Sequence, residues 1–160
     1  MLKRNYLILL LLLTSLSLPF WFEDKEVKLQ KQHVKETAIE AKNHYVMYGK
    51  EEAYKLFQNV TEHFVEGEYY VFVFENTTCL VHPTIPELVN RNLKELTDPT
   101  GKYFIKDFLK LMKKKKQGWV SYLWPNPNTM ETSAKYSFLI RLEDKPLTYL
   151  GVGFYKNKTD

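Results

Sequence analysis

Tyr69-Tyr70-Val71-Phe72-Val73-Phe74-Glu75-Asn76-Thr77-Thr78-Cys79-Leu80-Val81 is the stretch at which the hydrophobic period of the chain changes. Aromatic and β-branched residues fill 69–74, a polar tetrapeptide interrupts them, and Leu80-Val81 resumes the apolar run. This is the pattern of a β-hairpin. Everything before it has helical spacing, and nearly everything structured after it alternates.

Upstream, Val27, Val34, Ala38, Ala41, Tyr45 and Tyr48 recur at spacings of seven, four and three among Lys, Glu and Gln. The spacing predicts one long amphipathic helix over 23–48. Its apolar stripe is narrow, so the helix lays one side on the domain or pairs with a partner helix. Beyond Gly49 a second helix is expected, with Ala53, Leu56, Phe57, Val60 and Phe64 on one face and Gly67 closing it. Downstream, a Pro- and Asn-rich loop runs from His82 to Lys102, long enough to be a functional segment. Phe104, Phe108, Leu109 and Met112 then share a face of a short helix ending in Lys113 to Lys116, cations suited to the helix C-terminus. Strands are expected at Trp119–Trp124, Lys135–Leu142 and Thr148–Tyr155, the first two separated by a loop over Pro125–Thr132. The order predicts an α+β domain with an antiparallel sheet of about five strands, helices at 23–48 and a core over 49–156.

The first 22 residues read differently. Lys3 and Arg4 precede an uncharged apolar run from Tyr6 to Phe22 that contains five consecutive leucines, Leu9 to Leu13. A charged flank followed by such a run marks export. Ser15 and Ser17 stand at cleavage spacing, whereas Trp21 and Phe22 suit a membrane interface, so residues 1–22 are either a cleaved signal peptide or a retained N-terminal anchor in contact with the membrane. No later segment returns the chain to the cytoplasm. Residues 23–160 are therefore expected to form one domain acting outside it, periplasmic or secreted.

Charge and cysteine content narrow the classes. The chain has 23 basic and 19 acidic residues, a formal +4 that falls to +2 without Lys3 and Arg4. That balance gives no reason to expect a nucleic-acid partner. Cys79 is the single cysteine, so stability must come from the core and not from a disulfide within the chain. No metal-spaced His/Cys cluster, phosphate loop or nucleophile elbow occurs, and neither cofactor nor metal is expected. His33, His44 and His63 fall on expected helices. A hydrolase built on His82 with Asp98 or Glu87 lacks an identifiable nucleophile, so an enzyme is not expected.

The residues that stand out are polar groups embedded among aromatics: Tyr70, His82, Tyr103, Tyr122, Trp124, Lys135 and Tyr136, with Phe72 beside them. Small-ligand sites combine apolar walls with a few convergent polar groups in this way, although aromatics at period two also simply build cores. Lys135 is the exception to that alternative. A lysine within a strand of Tyr, Phe, Leu and Ile is costly unless it snorkels to water or meets an anion. It is the best anion-binding candidate in the sequence.

The segment Cys79-Leu-Val-His-Pro, then Asp98-Pro-Thr-Gly-Lys-Tyr-Phe, Gly118-Trp-Val-Ser-Tyr-Leu-Trp-Pro, Lys135-Tyr and Gly151-Val-Gly-Phe-Tyr, in this order, resembles the single Cache domain family across roughly Ala38 to Lys156. The resemblance implies an extracytoplasmic sensor domain with a PAS-like antiparallel sheet behind a long N-terminal helix. It also implies a small carboxylate ligand such as acetate, propionate, pyruvate or lactate. Carried over by position, His82-Pro83, Tyr122, Trp124 and Lys135 would frame the site, with Lys135, Tyr122 and His82 holding the carboxylate and Trp124, Tyr70 and Phe72 enclosing its alkyl end. Asn90 stands where the family has a loop glycine, Asn76 to Thr78 replace a hairpin glycine, and Tyr149-Leu150 lie where a tryptophan precedes the final Gly-x-Gly. The function so implied is a stand-alone binding module for a small organic acid that signals through a membrane receptor or other partner. The competing expectation is an extracytoplasmic interaction protein whose domain contacts a receptor or a second copy of the chain without a diffusible ligand.

Overall fold

The structure is a computed structural model, and it describes residues 20–61 and 63–156, with the side chains of 20–24 excepted. Helix α1 runs from Phe20 to Tyr48, three residues earlier than the apolar stripe suggests. Val34, Ala38, Ala41 and Tyr45 are its buried side chains, packed with Val71, Val73, Phe138, Leu150, Val152 and Phe154 of the sheet. The narrow stripe thus serves the domain's own core, and two alanines within it present little bulk toward the strands. Tyr48, at the end of the stripe, is exposed. No helix among the described residues is long and apolar enough to cross a membrane, and most of the Tyr6–Phe22 run lies outside the described residues.

Gly49 separates α1 from α2 (Lys50–Gln58) at φ 84°, a left-handed backbone that glycine adopts without strain. Its N–H donates to the Tyr45 carbonyl, and its own carbonyl accepts from Ala53 N–H, so one residue ends a helix and starts the next. The second helix is shorter than its apolar spacing implies. It stops at Gln58 because Asn59 turns extended and its side-chain oxygen accepts from both the N–H and the hydroxyl of Thr61, a local alternative to helical hydrogen bonding. Val60 is consequently exposed, while Phe64 reaches the core from outside any helix and Val65–Glu66 form a short strand, β1.

Strands β2 (Tyr69–Glu75) and β3 (Thr78–Val81) form the expected hairpin. Helix α3 (Phe104–Lys114) follows, then β4 (Gln117–Pro125), β5 (Thr132–Asp144) and β6 (Leu147–Lys156). The antiparallel order is β1-β2-β6-β5-β4, with β3 also paired to β2, giving six strands. The sixth, β1, is the two-residue strand from the segment assigned by its spacing to a helix. Alternation sends Val71, Val73, Leu150, Val152 and Phe154 toward α1 and α2, and Tyr70, Phe72, Phe74, Leu139 and Tyr149 toward α3. On α3 itself Phe104, Ile105, Phe108 and Met112 are buried, with Leu109 only partly so. The helix C-terminus is held by Arg141, whose guanidinium donates to the Met112 and Lys115 carbonyls, while Lys113 to Lys116 stay solvated. Cys79 is buried, and burial pushes its thiol up to about 12, which leaves it unreactive.

The long 82–102 loop is firmly tied. Asn90, at φ 65°, takes the left-handed turn in place of glycine, as Asn76 does in the hairpin at φ 52°. Asn90 N–H donates to the Cys79 carbonyl, Cys79 N–H to Arg91, and Leu93 N–H to Thr77. At the far end, Asp98 accepts from the N–H and hydroxyl of Thr100, from Lys102 N–H and, across to β4, from Leu123 N–H. Burial opposes its charge, but these donors prevail and hold the carboxyl down at about 2. Removing it strands several donors. Asp98→Ala should therefore lower stability by about 2–4 kcal/mol. Because the folded carboxyl titrates below its unfolded value, this contribution is complete above about pH 4 and is lost as pH falls toward about 2. Urea titrations of both proteins should show their stability gap closing over that window.

Candidate functional site

The face of the sheet under α3 carries an unusual centre. Lys135 pairs in register with Tyr122 on one side and Tyr155 on the other, and its side chain is fully buried. Its Nζ has no hydrogen-bond acceptor in good geometry, although the Tyr70 hydroxyl is near enough to favour its charge. Instead it lies 3.7 Å from the centre of the Tyr70 ring, 4.9 Å from that of Tyr155 and 5.6 Å from that of Phe72. Ring faces attract a cation, but they do not replace the hydrogen bonds an ammonium loses on leaving water. Burial accordingly pushes the amine down from its ordinary value, opposed by Tyr70 and Glu68.

The space for this lysine comes from β6. A Cβ on Gly153 would stand 2.6 Å from Lys135 Cε and 2.6 Å from Ser137 Oγ. On Gly151 it would stand 2.2 Å from the Phe72 ring. The two glycines of Gly151-Val-Gly are thus the seats of two site side chains.

Hydroxyls surround the amine. Tyr70 Oη and Tyr155 Oη lie 3.4 Å apart, Tyr155 donates to the Pro125 carbonyl at 2.8 Å, and Tyr122 Oη lies 3.1 Å from Ser137 Oγ. Burial pushes Tyr122 and Tyr155 up. Burial acts on Tyr70 in the same sense and is the largest single influence there, but the charge of Lys135 together with the hydrogen bonding of Lys135, Tyr155 and Thr84 brings the phenol down. His82 completes the group, its ring 5.2 Å from Tyr70 and 6.0 Å from Trp124. Its Nδ1 accepts from Ile85 N–H, which leaves the proton of the neutral ring on Nε2. Burial, reinforced by Lys135, pushes the imidazole down to about 3, so it is uncharged near neutrality. Its backbone is fixed as well, N–H and carbonyl both bonded to the Gln58 amide.

Phe72, His82, Tyr122 and Trp124 also line a cavity of about 10 Å³ closed by Phe104, Phe108 and the leucines of the long loop. That is room for about one water molecule. Phe104 stacks on Tyr122 with ring centres 4.3 Å apart, so α3 forms the roof.

Six of the eight residues singled out in the sequence, Tyr70, Phe72, His82, Tyr122, Trp124 and Lys135, are gathered here. Two are not. Tyr136 follows Lys135 and so points to the opposite face, where it stacks on Phe154. Tyr103 precedes α3 and is exposed, with Lys106 Nζ 3.8 Å from its ring centre. Three members escaped the sequence reading: Tyr155, Ser137 and Phe104. The first two could have been found by counting in steps of two, from Gly153 and from Lys135. The His82–Asp98 pairing has no geometric basis, since Asp98 is spent on the loop and β4, His82 Nδ1 on Ile85, and Glu87 is exposed.

A family model described as a Cache domain, dCache_2, matches residues 22–160. The chain belongs to the Cache domain family. Its fold is shared with a methyl-accepting chemotaxis protein from Vibrio parahaemolyticus RIMD 2210633, at 20% identity and TM-score 0.71, covering 88% of this chain and 97% of that one. A Cache chemosensory domain described with the structural basis of its carboxylic acid recognition aligns at 19% identity and TM-score 0.65, over 85% of this chain and 97% of that one. A periplasmic sensor domain of a chemotaxis protein aligns at 20% and 0.65, over 87% and 100%. In sequence, the methyl-accepting chemotaxis protein McpP of Pseudomonas putida KT2440 is 32% identical over 60 residues, which are 38% of this chain and 11% of that protein. The chain thus spans about a tenth of the curated relative it matches. The expected Cache fold, a PAS-like α+β sheet behind a long N-terminal helix, is the one observed. Cache domains are sensory ligand-binding domains, and in this one the ionisable side chain of Lys135 is fully buried.

The Cache cage depends on Gly153. Gly153→Ala should destabilise the domain by about 1–3 kcal/mol through the clash with Lys135. Thermal denaturation in a double-mutant cycle should show that cost shrinking when Lys135→Ala removes Cε, without vanishing, since Ser137 Oγ remains in contact.

Proposed function

We propose that this Cache domain is an extracytoplasmic sensor module that binds a short organic carboxylate in the Lys135 cage. One observation carries the reading: a buried lysine nitrogen without an acceptor, ringed by hydroxyls and aromatic faces. A carboxylate supplies what that nitrogen lacks, in charge-assisted hydrogen bonds shielded from water. Tyr70, Tyr122 and the Nε2–H of His82 are the additional donors, and Phe72, Trp124 and Phe104 enclose the alkyl end. The small cavity favours acids of two or three carbons, which need only a modest outward shift of the walls. The carboxylic acid recognition described for one fold neighbour supports the same ligand class.

Residues 1–22 place the domain outside the cytoplasm and 23–160 form the binding domain. Its output passes through a receptor or other signalling partner. Tyr103 and Tyr136 have no part in the site.

A second reading, in which the domain serves protein contacts, is favoured by the exposed run Val46, Met47 and Tyr48 at the end of α1. Light scattering with and without acetate separates the two, since a ligand-independent assembly supports protein contacts.

In a thermal-shift and calorimetric screen, acetate, propionate, pyruvate or lactate should raise the melting temperature, by about 2.7 kcal/mol of stabilisation at one hundred times Kd. Lys135→Met should abolish that shift while remaining folded, and Tyr103→Ala should leave it intact. No shift with any short carboxylate would refute the proposal.

A further inference from the structure

We infer that the Lys135 cage takes up one proton with each carboxylate it binds, so that the domain reads anion and proton together and not the anion alone. The inference rests on the carboxylate reading above and concerns its regulation.

The geometry fixes the proton count. The titratable groups facing Lys135 Nζ are Tyr70 from β2, Tyr155 from β6, Tyr122 from β4, His82 from the loop after β3 and Glu68 from the β1–β2 turn; the α3 side chains packed on this face, Phe104, Ile105, Phe108, Leu111 and Met112, are all apolar. Glu68, the carboxylate of the group, is already engaged, one oxygen accepting from Tyr155 N–H and the other from Asn126 Nδ2. It is not a counter-ion in contact with the amine. His82 is neutral, with Nδ1 committed to Ile85 N–H. Tyr155 has its hydroxyl proton on the Pro125 carbonyl.

What remains is the pair Lys135 and Tyr70. Short of the fully protonated form, this pair has two arrangements, a neutral amine beside a phenol or an ammonium beside a phenolate. Both carry the same number of protons and the same net charge of zero. An isolated ammonium beside an intact phenol would be a buried charge without a partner, which costs several kcal/mol. Binding a carboxylate needs that third form, because the ammonium provides the charge and the phenol must donate instead of repel. Anion and proton therefore enter as a unit, and the filled cage is again neutral. The conclusion is the same whichever of the two arrangements precedes binding.

The test uses acetate as the probe. Calorimetric titrations of the whole chain at pH 7 in phosphate and in Tris should give enthalpies that differ by the buffers' ionisation enthalpies times about one proton taken up, acetate itself being ionised at that pH. Measured between about pH 6.5 and 8.5, the dissociation constant should rise with pH, by no more than about tenfold per unit. Acetate binding with no proton uptake and a flat pH profile overturns this inference and leaves the binding proposal standing. No binding of any short carboxylate across that range overturns both. In whatever acetate affinity His82→Gln retains, the uptake should stay at about one proton per acetate bound; binding without uptake in that variant would move the proton to the imidazole and overturn the assignment. Lys135→Met, which melts at or above the wild-type temperature because it deletes an unpaired buried amine, should lose affinity and pH dependence together. Retention of the wild-type slope in that variant also refutes the inference.

Discussion

An amine held against the face of Tyr70 with no hydrogen-bond acceptor is the constraint around which this domain is organised. Nothing in folding rewards such a group, since each aromatic contact recovers only part of the lost hydration. The surrounding structure nevertheless fits it closely. Gly153 leaves out the atom that would collide with its stem, Gly151 does the same for Phe72, and hydroxyls on four strands gather around it. Local sacrifice of stability at a built, enclosed centre departs from the consistency kept by the rest of the core, and the binding proposal rests on that departure.

The remainder of the architecture holds that centre shut and in register. The loop over the cage is fastened at both ends, by main-chain bonds to β3 and by the Asp98 carboxylate to β4. His82 is fixed through backbone and ring alike. Its neutrality follows from the same burial that depresses Lys135, and the charge of Lys135 makes the imidazole harder still to charge. Two potential cations in one apolar cage therefore resolve into at most one, which under the proposed reading a single carboxylate would balance.

How much of this was legible beforehand follows physical lines. Strands β2 to β6 were legible because period two and β-branched content reinforce each other there, and Lys135 because an ammonium in an apolar strand has few inexpensive explanations. Asn76 and Asn90 could replace glycines because their side chains tolerate the left-handed backbone that both adopt. The helix over Ala53 to Phe64 was misread because helical spacing of apolar residues persists past Asn59, where a side-chain turn and not hydrophobicity ends the helix. Tyr136 and Tyr155 illustrate the limit for sites. Tyr136 is excluded by alternation alone, since it follows Lys135 on the same strand, whereas only the pairing register puts Tyr155 opposite Lys135. Register is a tertiary fact, set by hydrophobic burial on both faces at once.

That two-faced burial also bears on how the cage could be felt elsewhere. Strand β6 is buried from Thr148 to Tyr155, with Gly151, Gly153 and Tyr155 on the cage side and Leu150, Val152 and Phe154 against α1 and α2. It lies between β2 and β5, so it cannot move as an edge strand can. With Lys135 in contact at Gly153 and Phe72 at Gly151, a shift of either side chain meets backbone, not a compliant side chain. Close-packed interiors transmit such displacements. The same strand carries them to Val152 and Phe154, and through these to the buried stripe of α1. Under the proposed reading, a change in the cage would reach the long helix through this one rigid element, which has the cage side chains on one face and the buried stripe of α1 on the other.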